Sequence, residues 1–307
     1  MTGAVAVFGN VQADVVVSPA GVLPAPGTDV LVDDVAVRAA GSAGNTALAL
    51  RELGLAARLH GVVGDDAFGD LIRAELAGHG LGGDVVVAAG ERTGVSVCLE
   101  APGRDRAFWT YWGCLTGQRA EDAPDWVTAA DYGLYCGYFT LPGARGAPTL
   151  DLLTRARGTT LFDCGWDLGG WPEATINELA PILGAADVFL PNAAEASGIT
   201  GMADPYAATR ELQRRYGGWV ATKLGADGGC AAGPDGAWHT VPAPRVQVTD
   251  TTGAGDAFNA GLTGALARGA GWPEALRAAV TLASDIVARP SHRRYPRAAA
   301  PAPPGPR

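Results

Sequence analysis

The amino-acid sequence predicts an α/β domain: a three-layer sandwich with a central, mostly parallel sheet flanked by helices, plus a small β-sheet lid built from two insertions. After Asp131, short apolar runs alternate with helix-length segments. That alternation, with short connections, is typical of a parallel sheet covered on both faces. The segments at about 11–39 and 89–113 alternate like strands and interrupt this rhythm, which predicts the lid.

The first half of the chain contains both predicted lid segments. A short apolar run at 4–8 ends at a glycine, as expected of a buried strand. In the order of the chain, the pattern then predicts strands at 15–17 and 30–37, a helix at 43–53, a strand at 58–63, a helix at 68–78, a strand at 85–88, and a hairpin of 94–100 with 107–112. Glycine and proline at 102–103 mark the turn of that hairpin.

The second half follows the βα rhythm. The pattern predicts strands at 132–138, 159–165, 187–192 and 218–225, helices at 147–157, 174–183 and 204–216, a β-pair of 229–234 with 237–243, a strand at 246–248, and helices at 254–268 and 272–287. We expect residues 1–295 to form one domain. The Pro/Ala-rich residues 296–307 cannot pack a core, and we expect them to be a disordered tail.

Composition excludes several classes of protein. The 307 residues are 48% hydrophobic and 18% charged, which allows a large buried core. A net charge of −9 argues against a nucleic-acid partner. The sequence has no signal-peptide pattern and no apolar run long enough to span a membrane. Its five cysteines are widely spaced and form no CxxC pair, so we expect free thiols and a cytoplasmic location.

The segment Asp250–Phe258, with the sequence DTTGAGDAF, carries the strongest functional signal. Small residues at Gly253, Ala254 and Gly255 allow a close backbone approach at the start of a helix, where free N–H groups and the helix dipole favour an anion. Asp256 in the first turn could accept a proton from an attacking hydroxyl. Taken alone, Asp256 could also be an ordinary helix-capping residue.

This nine-residue string resembles the C-terminal signature of the ribokinase/PfkB family of carbohydrate kinases, and weaker motifs extend the resemblance over roughly residues 5–290. The resemblance implies a ribokinase-like fold and an ATP-dependent kinase that phosphorylates a hydroxyl of a small sugar-like molecule. It also implies that Asp256 is the catalytic base, and that Gly253, Ala254, Gly255 and Asp256 form an anion hole.

The weaker motifs occur in the family's order: GNVQAD at 9–14, GSAGN at 41–45, GDDAFG at 64–69, PNAAE at 191–195 and TKLG at 222–225. By resemblance, the substrate-binding residues are Gln12, Asp14, Gly41, Ser42 and Asn45, and the ATP-binding residues are Asn192, Thr222, Lys223, Gly225 and Thr252. Glu195 would place Mg²⁺, largely through water. We expect Lys223, the one lysine of the chain, to face away or to meet the edge of the nucleotide.

Single residues also admit structural interpretations. Asp14 and Asn45 could be turn and cap residues, Glu195 could be an ordinary exposed helix residue, and we expect Asp65 and Asp66 to close a turn. Three positions depart from the family pattern: Ala40 replaces a glycine, and Gln12 and Ser42 differ from ribokinases proper, which argues against D-ribose. The family binds a monovalent cation near 289–292. In this chain the sequence there, RPSH, lacks the usual small residues, so it is open whether K⁺ is a cofactor.

Two substrate classes remain open within the kinases. A sugar is favoured, and the alternative is a nucleoside whose base stacks on an aromatic side chain. The candidate side chains, which could equally be lid core, are Phe108, Trp109, Tyr111, Trp112 and Phe139. A non-catalytic ligand-binding relative is disfavoured because Asp256 and its glycines are intact.

The lid's outer face should expose apolar side chains, so we expect a homodimer through the lids.

Overall fold

A computed structural model describes residues 3–18, 26–99, 107–290 and 294–295, and within them thirteen strands and nine α-helices. The strands are β1 (Val5–Gly9), β2 (Gln12–Ser18), β3 (Asp34–Ala40), β4 (Ala57–Gly64), β5 (Val85–Ala88), β6 (Val95–Leu99), β7 (Ala107–Tyr111), β8 (Tyr132–Cys136), β9 (Thr159–Asp163), β10 (Val188–Phe189), β11 (Trp219–Lys223), β12 (Gly229–Ala232) and β13 (Trp238–Val241). The helices are α1 (Ser42–Glu52), α2 (Ala67–Gly78), α3 (Asp125–Ala129), α4 (Ala147–Arg155), α5 (Glu173–Ala185), α6 (Ala193–Thr200), α7 (Pro205–Tyr216), α8 (Ala254–Ala267) and α9 (Trp272–Val287).

Nine strands form one large sheet in the order β13-β12-β11-β10-β9-β8-β1-β4-β5. The seven strands from β11 to β5 pair in parallel, and β12 and β13 add an antiparallel edge. The predicted mostly parallel sheet is therefore confirmed. The predicted 229–234 and 237–243 pair is confirmed as β12 and β13, and β5 belongs to the large sheet.

Helices cover both faces of this sheet. Along the central strands alternate residues enter two separate cores: Val7 and Leu161 pack in one, and Phe8 and Phe162 in the other. This alternation follows from the two-residue period of a strand. Helices α1, α2, α8 and α9 contribute to the first core, and α3 to α7 to the second. The arrangement is the predicted three-layer sandwich.

The two lid segments combine into one sheet in the order β3-β2-β6-β7. Strand β2 pairs antiparallel with β3 and parallel with β6, so Asp14 lies opposite Ser96. The hairpin partner β7 completes the sheet, with Cys98 opposite Phe108. Segments about fifty residues apart thus form a common lid, as predicted. The predicted turn at 102–106 and the predicted tail at 296–307 lie outside the described residues.

One predicted strand is wrong. Residues 246–248 form no strand, and Val246 and Val248 are 39% and 57% exposed. The large sheet ends at β13, and residues 246–248 pair with none of its described strands. This segment borders a cavity instead.

The short helix α6 was not predicted, although Asn192 and Glu195 form the capping box that begins it. None of the described helices is long and apolar enough to cross a membrane.

Candidate active site

The candidate site lies where parallel strands end beside the start of α8. Strands β9 and β11 end at Asp163 and Lys223, and both residues line a cavity of about 820 Å³ together with Asp256. The carboxyl ends of parallel strands are where α/β sheets bind their ligands, because the connecting loops open there. The cavity is large enough for a nucleotide-sized ligand.

The turn before α8 has the conformation that its sequence requires. Gly253 adopts a left-handed conformation with φ 73°, which a glycine tolerates at no steric cost. The hydrogen bond from the N–H of Ala257 to the carbonyl of Gly253 begins the helix. The N–H groups of Gly255 and Asp256 precede that bond and belong to the unpaired first turn, where the helix dipole favours an anion.

Asp256 is held by two side chains from α1. Ser42 Oγ donates a hydrogen bond to Oδ1 (2.7 Å), and Asn45 Nδ2 donates one to Oδ2 (2.9 Å). Burial raises the pKa of Asp256 to about 6, with a further increase from the charge of Asp163, while the two hydrogen bonds oppose the shift. The carboxylate is therefore fixed in orientation and has a pKa close to that of a general base.

Lys223 lies next to the start of α8. Its Nζ forms an ion pair of 2.7 Å with Asp163 Oδ2, which also accepts a 2.5 Å hydrogen bond from Asn259. Burial opposes the charge on Lys223, but Asp163 and Glu195 outweigh it and raise its pKa. A methyl group built on Gly255 would lie 3.7 Å from Nζ. Of the two alternatives for Lys223, facing away is wrong, because Lys223 lines the cavity. A contact between Lys223 and the nucleotide stays a prediction.

Thr222 and Thr252, both predicted to bind ATP, are not among the residues that line the cavity. Thr222 is fully buried, and its hydroxyl forms a 2.7 Å hydrogen bond with Thr209 of α7. Successive side chains of a strand point to opposite faces, so Thr222 cannot share the site with Lys223. Thr252 packs towards Cys98 of the lid (4.0 Å), and its neighbour Thr251 borders the cavity in its place.

Glu195 and Asn192 form the start of α6. The backbone N–H and side-chain amide of Asn192 donate to the two carboxylate oxygens of Glu195 at 2.9 and 2.7 Å. Burial raises the pKa of Glu195, and the charge of Asp163 raises it further. Both residues line the cavity, as does Gly225. Because the Glu195 oxygens already accept hydrogen bonds, Glu195 would contact a metal ion most readily through a bridging water molecule.

A chain of polar side chains connects β1 with the lid. Asn10 Nδ2 donates to Gln12 Oε1 (3.2 Å), and Gln12 Nε2 donates to Asp14 Oδ1 (3.3 Å). Asp14 is only 4% exposed, and burial raises its pKa against the opposing charge of Arg38. Gly41 permits the close packing, since a Cβ there would lie 2.4 Å from the carbonyl oxygen of Asn10.

The far end of the cavity is apolar. Its apolar lining residues come from the segment between β13 and α8 and from one face of α9: Ala243, Pro244, Val246, Val248, Val280, Ala283 and Val287. Arg245 and Ser284, from the same two elements, also line the cavity. A flat aromatic ring could lie between these two walls, with polar groups directed towards Asp256. The partly exposed Val246 and Val248 thus line the cavity.

The structure brings together most of the predicted residues and adds others. Ser42, Asn45, Asp256, Lys223 and Glu195 surround one end of the cavity or contact its lining residues. Asp163 and Asn259 were missed. Asp163 could have been found as a carboxylate at the end of a predicted strand, and Asn259 as a polar residue inside an apolar helix. Asp66 has a structural role, as predicted, but as the N-cap of α2: its carboxylate accepts from the N–H of Gly69, and it also accepts from Thr93.

Comparison with known proteins identifies relatives of this chain. The profile of the pfkB family carbohydrate kinases matches residues 3–296. YegV, an uncharacterised sugar kinase of Escherichia coli K12, is 27% identical over 280 residues, covering 89% of this chain and 85% of its own. An aminoimidazole riboside kinase of Salmonella typhimurium is 28% identical, covering 78% and 76%. The structure of Arabidopsis thaliana ribokinase complexed with ribose and ATP superposes with a TM-score of 0.79 at 26% identity, covering 96% of each chain.

Proposed function

Because the chain belongs to the pfkB family of carbohydrate kinases and is an ATP-dependent phosphotransferase, we propose that Asp256 activates a hydroxyl of a small sugar or sugar-like substrate. The observation that carries the proposal is the geometry of Asp256. Its carboxylate lies at the start of α8 in the cavity wall, and Ser42 and Asn45 hold both of its oxygens. A base in this position can take the hydroxyl proton as the oxygen attacks the γ-phosphoryl group.

The start of α8 would stabilise the charge of the phosphoryl group. The backbone N–H groups of Gly255 and Asp256 and the dipole of the helix favour an anion in front of the Gly253–Gly255 turn. Lys223 supplies a positive charge on the same side of the turn. We assign Lys223 to the phosphate chain of ATP, where its ammonium group can turn from Asp163 to a phosphate oxygen.

The rest of the nucleotide fits the remaining cavity. The apolar wall formed by Val246, Val280 and Val287 is suited to the adenine ring, and Gly225 and Asn192 also line the cavity. Glu195 is the residue that would hold Mg²⁺ through water, and the ion would neutralise part of the phosphate charge. The buried carboxylates of Asp163 and Glu195 provide the negative charge that such an ion requires.

The inner face of the lid supports a sugar as the substrate class. The pairing register places Asp14, Ser96, Thr110 and Arg38 across neighbouring strands on one face. Carboxylate and hydroxyl groups can each pair with the hydroxyls of a polyol and reject ligands that lack them. Gln12, Asp14 and Asn45 are 3–8% exposed, so substrate entry would require the lid to open.

A nucleoside is the second candidate substrate. Phe139 is buried against Trp171 and belongs to the core, which removes it from the stacking candidates. Phe108 is 49% exposed and shares the lid face of Cys98 and Ser96, so it is the side chain that could stack on a base. The similarity to a riboside kinase also supports this alternative.

The outer face of the lid supports a homodimer formed through the lids. It exposes Val35, Val37, Trp109 and Tyr111, each between 41% and 58%, and apolar patches of this kind mark association surfaces. Light scattering at micromolar concentration measures the mass directly. A monomer, or a dimer that persists in a Trp109→Glu variant, would contradict this interface.

The cysteines support a reducing compartment as the place of action. All five are buried free thiols, and none forms a disulfide. Proteins with this cysteine usage are typical of the cytoplasm.

ADP release measured over a panel of neutral sugars, sugar acids and nucleosides tests the proposed function. Asp256→Asn should lower kcat by roughly 10²–10⁴-fold with ATP affinity within a few-fold, because only the proton acceptor is lost. Phe108→Ala should impair a nucleoside substrate and leave a sugar substrate unaffected. An Asp256→Asn enzyme with more than half of the original kcat would overturn the assignment of the base.

A further inference from the structure

Asp250 anchors the turn that leads into α8. Its side chain is fully buried, and Oδ1 accepts a 2.7 Å hydrogen bond from the backbone N–H of Thr252. Thr252 directly precedes Gly253, the left-handed residue at the start of the helix. The position of the proposed anion hole therefore depends on a buried carboxylate. A buried carboxylate is costly unless a positive charge compensates it.

Two arginines provide that charge. The Nη2 group of Arg294 forms an ion pair with Asp250 Oδ2, and Arg38 Nη1 lies 3.4 Å from the same oxygen. Arg294 comes from the segment after α9 and is 1% exposed, and Arg38 comes from β3 of the lid. The guanidinium of Arg294 also packs under the turn, since a methyl group built on Gly253 would lie 3.2 Å from Nη1.

The resemblance to the carbohydrate kinases implies a monovalent cation near this segment, but the described residues around Asp250 do not fit one; residues 291–293 lie outside the described part of the chain. Such a cation needs several oxygen ligands. The carbonyl of Val287 already accepts from the N–H groups of Thr249 and Asp250, and that of Ala288 accepts from the Thr249 hydroxyl. The carbonyl of Arg294 accepts from Arg289. Two guanidinium groups at Asp250 would also repel another cation at that carboxylate.

We propose that Arg294, assisted by Arg38, takes the place of a bound monovalent cation, so that phosphoryl transfer by this kinase is independent of K⁺. Both guanidinium groups are permanently charged, so the charge of Asp250 is balanced at any salt composition. Arg294 is then a positioning residue: it acts on the phosphate through Asp250 and the turn at Gly253. Arg38 also lies 3.9 Å from Asp14, which links the same charge cluster to the lid.

This inference rests on the proposed function only for its kinetic readout, and its first test needs no variant. Turnover and calorimetric ADP binding are measured in KCl, NaCl and tetramethylammonium chloride at equal ionic strength. We expect both quantities to agree within twofold among the three salts. Activation or tighter ADP binding in KCl alone would overturn the proposal. The ADP-binding measurement tests the proposal even if the substrate is not a sugar, because it requires no phosphoryl acceptor.

The second test uses a variant that we expect to require a monovalent cation for activity. Arg294→Met removes the charge and keeps most of the side-chain volume, and we expect turnover without K⁺ to fall by about tenfold or more. Saturable recovery by KCl or guanidinium chloride, with none in tetramethylammonium chloride, is the expected signature. Arg294→Lys should retain more activity than Arg294→Met. The matched control is Arg277→Met on the exposed face of α9, which should change nothing.

Either of two results with the variants would contradict the proposal. The first is an Arg294→Met enzyme as active as the parent in every salt. The second is a folded but weakened enzyme that no cation restores, because a purely structural arginine would give that result. If Arg294→Met does not fold, the comparison of salts on the unmodified protein and on Arg294→Lys still decides the question.

Discussion

The hydroxyl of Ser42 donates a 2.7 Å hydrogen bond to Asp256, a residue 214 positions away in the sequence. Asn45 on the same helix holds the second carboxylate oxygen. The GSAGN and DTTGAGDAF motifs therefore form one structural unit at the junction of α1 and α8. The orientation and the pKa of the proposed base depend on both motifs.

The first prediction concerns this hydrogen bond. The base must be deprotonated, and burial raises the pKa of Asp256 to about 6, so kcat/KM should fall as the pH decreases through about 6. The Ser42 hydrogen bond favours the charged form and lowers the pKa. Ser42→Ala should therefore move the acidic limb to higher pH, by up to about one unit. A pH–rate profile measures the shift, with Ser197→Ala as the control. A limb that stays in place, or moves to lower pH, would contradict the role of Ser42.

A second prediction concerns the charge of Lys223. Lys223→Met should lower kcat by on the order of 10²-fold, because it removes a cation beside the anion hole. It should also move the acidic limb to higher pH, since Lys223 lowers the pKa of Asp256. Lys223→Arg retains the charge and should leave the limb near its original position. Equal loss in both variants with unchanged pH profiles would show that Lys223 only supports the fold through Asp163.

A third prediction concerns Asp14 in the lid. Asp14→Ala should raise the KM for the sugar and leave ATP affinity nearly unchanged. A charged hydrogen bond contributes about 1.5–3 kcal/mol, so kcat/KM should fall by roughly tenfold or more. Asp34→Ala provides a matched control, because Asp34 is exposed on the neighbouring strand β3. If the KM and kcat/KM for the sugar do not change in Asp14→Ala, Asp14 has only a structural role.

A fourth prediction concerns Glu195 and magnesium. Glu195→Gln retains an oxygen that can accept from Asn192 but loses the negative charge, so α6 should remain capped. The Mg²⁺ concentration for half-maximal activity should rise and kcat should fall, because the ion would lose an electrostatic partner. Titrations with Mg²⁺ at fixed ATP measure both effects. Glu173→Gln at the exposed start of α5 is the control. Overlapping titrations of Glu195→Gln and the parent would exclude this role.

The sequence by itself determined the alternation of strands and helices, the parallel sheet and the start of α8, although it wrongly predicted a strand at 246–248 and missed α6. These features depend on short-range physics: the periods of strand and helix, the freedom of Gly253, and the capping of a helix start. The two lid segments were also predictable, because both have a strand pattern and an isolated pair would be marginal in water.

Only the tertiary structure decided which side chains meet in the site. Thr222 and Lys223 are adjacent in sequence, yet the face that each one occupies depends on how β11 packs against α7. The ion pairs of Asp163 with Lys223 and of Arg294 with Asp250 join residues 60 and 44 positions apart. Local patterns contain no information about such pairs, because their free energy comes from burying complementary charges together, and only the folded chain brings those charges into contact.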